Sequence, residues 1–515
     1  MAAIVTDQFR ILNAENFVNS VTNTSNAYYV FVGLANPTAS GFGKSSTWDT
    51  NTPSPIDNFE YQGFVSDNMS FGRKVTSSNV RRVVRRINWV QGTRYEMYRQ
   101  DYSINSLSPV SKSARLYDAN YYVMNSEFKV YTCIDNGSSG ISTTGNASLD
   151  EPTFTDLEPS KPGVSGDGYV WKFLFSVAPS DVIKFDSTEY ITLPNDWETT
   201  TNAQIAAVRD NGDSTVNENQ LKKIYIDERG AGYSQGTHEL DILGDGTGGK
   251  AILDVDALGR IISASVSSGG KNYSYAMVDL GSINSNSTTK AKLIPIIPPS
   301  KGHGHDIYHE LGAERVLLYA RFDDSTKDFP IDTTISQIGI VKNPTSVGST
   351  AVFTDNQYSS MGAIKFSTTS GTLAIGDVLS QSVTGGTAKG FVFSYDTETK
   401  IAKYVQDRSL FLNQTTFDQT DYVGVTTSAR VYEFASNTNA VTSDGGFSGT
   451  VDTAFTGVST NPTGSKVISL GVNFANGVAT PEINKGSGDI IYIDNRPAIS
   501  RNSRQKEDVK IILEF

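Results

Sequence analysis

Short runs in which apolar and polar residues alternate, each soon cut off by Gly, Pro or Asn, recur along this chain. "KAILDVDALGRIISASV" (250–266) is a clear case, and "AYYVFVGLANP" (27–37) is a β-rich run stopped by Asn36-Pro37. A two-residue period is that of a strand with one buried face, and the Gly, Pro and Asn stops are turn residues. Composition agrees: 19% of residues are charged, and Ser, Thr and Asn are plentiful. That balance suits strands and turns better than long helices. At 515 residues the chain exceeds what one hydrophobic core can organise, so a mainly β (α+β) protein of several domains is expected.

Charge and cysteine usage exclude some roles. A net charge of −12 disfavours wrapping nucleic acid, which needs Lys and Arg against phosphates. One cysteine, Cys133, rules out an internal disulfide framework and suits folding in a reducing cytoplasm. The start "MAAIVTDQFR" reaches Asp7 before a signal-peptide core could form, and no apolar run is long enough to span a membrane. A soluble, intracellularly made protein is expected.

The first residues read as a short helix capped by Thr6 or Asp7, with Phe9, Leu12, Phe17 and Val21 near helical spacing. "NVRRVVRRINW" (79–89) sets Arg81, Arg82, Arg85 and Arg86 around Val83 and Val84. One reading is a solvated edge strand blunted by charge. The other is a docking patch for an acidic partner, since the four like charges repel one another in an isolated chain. "GDGYVWKFLFSVAP" (166–179) places Tyr169, Trp171, Phe173 and Phe175 on one strand face, a core pattern. "STEYITLPNDW" (187–197) is a further strand, and 199–220 reads as a polar linker.

Beyond that linker the chain repeats itself. "IYIDERGAGYSQGTHEL" (224–240) and "SASVSSGGKNYSYAMVDL" (263–280) superimpose at an offset of 40, pairing Gly230 with Gly270 and Tyr233 with Tyr273. Two copies are too few for a solenoid, so a compact β-domain over 218–296 is expected. "DIYHELGAERVLLYARF" (306–322) reads as a helix and "ISQIGIVKNP" (335–344) as a strand. Residues 346–470 return to Gly/Thr/Ser-rich hairpins, and the end is strand, Pro turn, polar loop and last strand.

Three motifs suggest chemistry. "GDGTGGK" (244–250) follows the phosphate-loop pattern up to Lys250, but Ala251 replaces the magnesium-binding hydroxyl and a strand pattern follows where a helix is required. "FGKSS" (42–46) lacks the first glycine, Thr38 standing there. "KGHGHDIYHELG" (301–312) holds three of the four histidines, and His305-Asp306-x-x-His309 differs from the zinc-protease pattern by one methylene. His303, His305 and His309 are candidate zinc ligands. Against this, Asp306 is placed to cap the helix, which leaves His305 outside it. No nucleophile elbow or paired-carboxylate motif supports an enzyme elsewhere.

Six stretches taken together resemble one family: the baseplate wedge protein of T-even-type contractile-tailed bacteriophages that joins the wedge as a homodimer. They are "AIVTDQFRILNAENFVNSV" (3–21), "VVRRINWVQGTRY" (83–95), "GDGYVWKFLFSV" (166–177), "EYITLP" (189–194), "QIGIVKNP" (337–344) and "GDIIYIDNRPAI…DVKIILEF" (488–515). The resemblance implies a β-sandwich-like core with a few short helices, interrupted by two inserted small β-domains. The core would comprise 1–200, 297–345 and 471–515, and the insertions 218–296 and 346–470. It implies a structural virion subunit of the tail baseplate, assembled in the bacterial host cytoplasm, that bridges wedge proteins and shifts with them on contraction. Its expected partners are itself and other wedge subunits, with no nucleic acid, membrane, cofactor or catalytic residue. The alternative is a receptor- or glycan-binding tail protein using Tyr233 and Tyr273 or other aromatics of the insertions, and a more distant one is a zinc-dependent hydrolase.

Overall fold

A computed structural model describes residues 4–34, 47–211, 220–284, 289–323, 334–406, 410, 432–462, 464, 467–500 and 506–515. The "FGKSS" turn and the end of the expected linker, 212–219, lie outside the described residues. The protein is mainly β with few short helices. It divides into two compact units. One comprises Met1–Val18, Arg81–Leu317 and Ile512–Phe515; the other comprises Asn19–Val80 and Leu318–Ile511.

The second unit is organised by the strand Tyr28–Gly33, all six residues of which are buried. It is flanked by Met69–Val75 and Thr334–Lys342, with Gln357–Ser359 and Asp489–Ser500 outside them, in an antiparallel five-stranded sheet. A strand with neighbours on both sides and cover on both faces must be apolar throughout, which the sequence "YYVFVG" supplies. The expected Pro turn near the end is instead part of the strand Asp489–Ser500. Pro497 falls where the register against Thr334–Lys342 shifts, and such a bulge tolerates the missing N–H.

Within 346–470 the strands close on themselves. Gly362–Ser370, Ser448–Val451, Val441–Ser443, Val378–Val383, Gly386–Asp396 and Ile401–Val405 pair in succession, and the last pairs back with the first. Phe366, Leu379, Val392, Tyr404 and Phe447 fill a core of their own. Closure removes the unpaired edges that short Gly/Thr-rich strands would otherwise expose.

In the first unit an aromatic core surrounds the strand Tyr169–Ser176. Trp171 stacks on Tyr169 at 5.4 Å and meets the edge of Tyr95 at 5.7 Å. Tyr169, Trp171, Phe173 and Phe175 are all buried, as their alternation indicates. On the opposite face Leu174 and Lys172 are buried too, and the Lys172 amine donates to the Leu157 carbonyl. Burial pushes that amine down to about 8.

Residues 218–296 contribute a two-stranded stem, Ile224–Ala231 with Thr289–Pro295, and an antiparallel four-stranded sheet of Gly236–Gly244, Thr247–Val255, Ile261–Lys271 and Ala276–Val278. The stem is fastened through both of its strands at the end where Ile224 pairs with Pro295. Arg99, 2% exposed, lies over Tyr225 at 3.8 Å, Lys223 pairs with Asp135 at 2.7 Å, and Gln100 bonds Pro295 and Ile297. The 40-residue repeat has a structural cause. Gly230 (φ +62°) and Gly270 (φ +58°) are left-handed, and a Cβ on either would stand 2.7 or 2.8 Å from the ring of Tyr233 or Tyr273. Each tyrosine hydroxyl then accepts a backbone N–H, from Ala291 and Gly249 respectively. Gly-x-x-Tyr is therefore a turn lock used twice. Both tyrosines are buried, which removes them as glycan platforms; Tyr275, 61% exposed, is an aromatic that this segment does present.

Three local expectations are corrected. The 306–322 helix stops at Leu311, because Gly312 is left-handed and the five residues Val316–Ala320 are buried in a row, as a doubly covered strand requires. The 199–220 linker contains the helix Ala203–Asn211, whose Val208 is buried. In the helix Asp7–Thr22 the buried face is Ile11, Ala14, Val18 and Val21, while Phe9 and Leu12 are exposed.

The turn lock predicts an ordered set of costs. Gly270→Ala should destabilise the first unit by at least about 2 kcal/mol, adding backbone strain to clashes with the Thr247 carbonyl, the Gly249 nitrogen and the Tyr273 ring. Tyr273→Phe should cost about 1–3 kcal/mol by stranding buried backbone groups. Gly166→Ala, at φ +71° with nothing within 4 Å, should cost less than Gly270→Ala. Urea melts giving equal costs for the two alanine variants would show that the ring contact contributes nothing.

Candidate functional site

The histidine turn is built around a carboxyl group. Asp306 caps the helix Ile307–Leu311, accepting the N–H groups of Tyr308 and His309 at 3.0 and 3.1 Å. The helix points Glu310 back into the turn that precedes it. There its carboxyl oxygens meet His303 Nδ1 at 2.8 Å and the Gly304 N–H at 2.7 Å. Glu310 is 2% exposed, and the His303 ring stands edge-on to Tyr98 at 4.9 Å. His305 Nδ1 lies 3.1 Å from the Arg209 carbonyl, and His309 Nδ1 lies 2.5 Å from Asp306 Oδ2.

His303, His305 and His309 are thus drawn to three different partners. Among the described residues no three His, Cys, Asp or Glu side chains are grouped as a metal could use them. The backbone of the turn is also held from outside: Trp197 donates its indole N–H to the carbonyls of Gly304 and His305, and Tyr308 donates to the Pro194 carbonyl. Chemically, this arrangement can fix a chain reversal.

His309 has a titration consequence. Its hydrogen bond with Asp306 raises the imidazole above its ordinary 6.5, against the opposing effect of burial. Burial raises the Asp306 carboxyl, but the hydrogen bonds from His309 outweigh it, and the net shift is downward.

The arginine strand Val80–Arg85 lies between Arg315–Phe322 and Tyr190–Thr192, so it is not the edge strand considered from sequence. Arg81 forms a fork onto Asp181, Nε to Oδ2 at 2.7 Å and Nη2 to Oδ1 at 2.9 Å. Arg82 is buried with its guanidinium 3.1 Å from the Tyr308 ring centroid. Strand alternation turns these two side chains onto neighbouring elements of the chain, Arg81 keeping 16% of its side chain exposed. Arg85 and Arg86 face a cleft of about 430 Å³. Tyr117, Tyr122 and Tyr190 form its aromatic walls; Asp118, Glu189 and Arg315 supply its other charges. Arg315 and the tyrosines were not singled out by the sequence. They come from three segments well separated along the chain, around Tyr117, Tyr190 and Arg315, and carry no local spacing signal.

No protein-family model matches the chain, and no curated protein matches it either. Among the described residues no helix is long and apolar enough to cross a membrane.

Two predictions follow from this geometry. Arg81→Ala, which takes the fork from a carboxylate 9% exposed, should cost about 3 kcal/mol, whereas Arg86→Ala, whose partner Asp186 is 64% exposed, should cost under about 1 kcal/mol. Equal shifts of the urea midpoint would contradict this ranking. In an NMR titration His309 should titrate above 6.5, and Asp306→Asn, which keeps a capping oxygen, should lower its pKa. The raised pKa contributes stability that is fully present below 6.5 and is lost as pH rises through the folded value. An unchanged His309 titration in Asp306→Asn would refute the pairing.

Proposed function

We propose that this chain is a structural, non-enzymatic subunit of the baseplate wedge of a contractile-tailed bacteriophage, assembled in the host cytoplasm and retained in the virion. The observation that carries the reading is the ordered resemblance of six stretches. They fall on the first helix, the arginine strand, the Trp171 strand, Tyr190–Thr192, Thr334–Lys342 and the two C-terminal strands. These are scaffold elements of both compact units. The residues that suggested chemistry support the same reading. His303 and Glu310 organise a turn, and the "GDGTGGK" stretch feeds the strand Thr247–Val255. A structural subunit works by holding neighbours in one geometry, which requires rigid cores and large surfaces rather than a reactive group. The receptor- or glycan-binding alternative now has Tyr275 in place of the buried Tyr233 and Tyr273.

The reading predicts a homodimer that bridges other wedge subunits. Sedimentation of the purified chain should give a species of twice the monomer mass, and a map of the intact tail should place it in the baseplate. A strict monomer at high micromolar concentration would remove the dimer. A tail whose baseplate lacks the chain would remove the reading altogether.

A further inference from the structure

The cleft beside the arginine strand holds a guanidinium with no directly paired carboxylate among the described residues. Arg86 is bound to Asp186 at 3.1 Å, and Arg315 to Glu514 at 2.7 Å and Glu314 at 3.3 Å. Arg85 differs. Its Nη2 donates to the carbonyls of Asp118 and Ala119 at 2.9 and 3.1 Å and to Asn120 Oδ1 at 3.0 Å, all neutral acceptors. No carboxylate among the described residues pairs with it, and its Nε is buried without a hydrogen-bond partner. The guanidinium is therefore fixed in place by its neighbours and not neutralised by them. A pre-positioned, unpaired arginine at an aromatic-walled cleft is a site for an anion.

The surroundings narrow the kind of anion. Asp118 and Glu189 also line the cleft, so a phosphate dianion would meet two carboxylates on entry. A single carboxylate needs only one counter-charge, and Arg85 supplies it. The half-buried Tyr117 and Tyr190 offer ring surface for the residues flanking such a group, Tyr122 and Leu311 being buried, and about 430 Å³ is room for a short peptide segment rather than for a bare ion. We propose that this cleft binds an acidic segment of a partner protein, one Asp or Glu side chain pairing with Arg85 while its neighbours pack on the tyrosines. The inference concerns the cleft alone and stands whichever assembly the chain joins.

The test uses the full chain and a set of fluorescein-labelled octapeptides, each with one central Asp or Glu among apolar and aromatic residues. Their Asn and Gln counterparts and inorganic phosphate serve as separate arms, and binding is read by anisotropy at low and moderate salt. Saturable binding by acidic members is expected, weakened at least tenfold by Arg85→Gln and by the carboxamide peptides. Because Arg85 also steadies the 118–120 loop, two variants that leave its contacts alone complete the set. Tyr190→Ala should weaken binding, and Glu189→Gln, which removes a like charge from the cleft, should tighten it by roughly two- to fivefold. Three outcomes would overturn the proposal: no acidic octapeptide binds, phosphate alone binds, or affinity is the same in Arg85→Gln and Glu189→Gln as in the natural chain.

Discussion

In the first unit the buried Glu310 side chain fixes the chain reversal through which residues 301–312 enter the strand Arg315–Phe322. One oxygen meets the His303 imidazole and the other the Gly304 N–H, while the Glu310 carbonyl accepts the Tyr121 hydroxyl. A carboxyl group taken out of water is tolerated only when its acceptor sites are satisfied, and here they are satisfied by the turn it organises. Gly312, left-handed beneath the Tyr117 ring, then ends the helix and releases the chain into the strand. Tyrosine, tryptophan and carboxyl side chains thus do the work that the histidine spacing seemed to assign to a metal.

The arginine strand shows the same economy with charge. Four guanidiniums in six residues would repel one another on a free surface. In the fold they are separated by being sent to different neighbours: a carboxylate for Arg81, an aromatic face for Arg82, loop carbonyls for Arg85, and a carboxylate with a carbonyl for Arg86. Arg99 follows this rule elsewhere, bound to Asp101 and stacked on Tyr225. Arginine suits such places because its planar fork forms hydrogen bonds at its edge and stacks on rings with its face.

The segments 218–296 and 346–470 reach stability by different means. The closed ring of strands between Gly362 and Val451 keeps its own aromatic and aliphatic core and leaves no strand of the ring at an edge. The earlier segment keeps open sheets, but it locks its turns with a glycine and a tyrosine twice over and is tied to the rest of the first unit by the Arg99–Tyr225, Gln100–Pro295 and Lys223–Asp135 contacts. Tyr225 covers the Arg99 guanidinium and, with Ile294 and Ile296, packs into the aromatic core, so the stem is continuous with that core.

Much of this was legible in the residues. Alternation at 169–175 and 250–266, the all-apolar "YYVFVG", the Asp306 cap and the Gly-x-x-Tyr repeat are local, since strand period, helix capping and positive φ depend on a residue and its near neighbours. The sequence by itself therefore determined a mainly β protein, many of its strands and the turns that bound them. It misjudged 306–322, 203–211 and the exposed Phe9 and Leu12, where tertiary burial overrode spacing. Only the tertiary structure decided that Arg81 and Arg82 turn inward, that His303, His305 and His309 part company, and that Arg85 shares a cleft with Arg315 and Tyr190. The arginine outcomes rest on contacts between residues a hundred or more positions apart, whereas His303 and His309 are held by the nearby Glu310 and Asp306. Nothing in a local pattern records which distant carboxylate or ring will be nearest, so charge could be read from the chain but its partners could not.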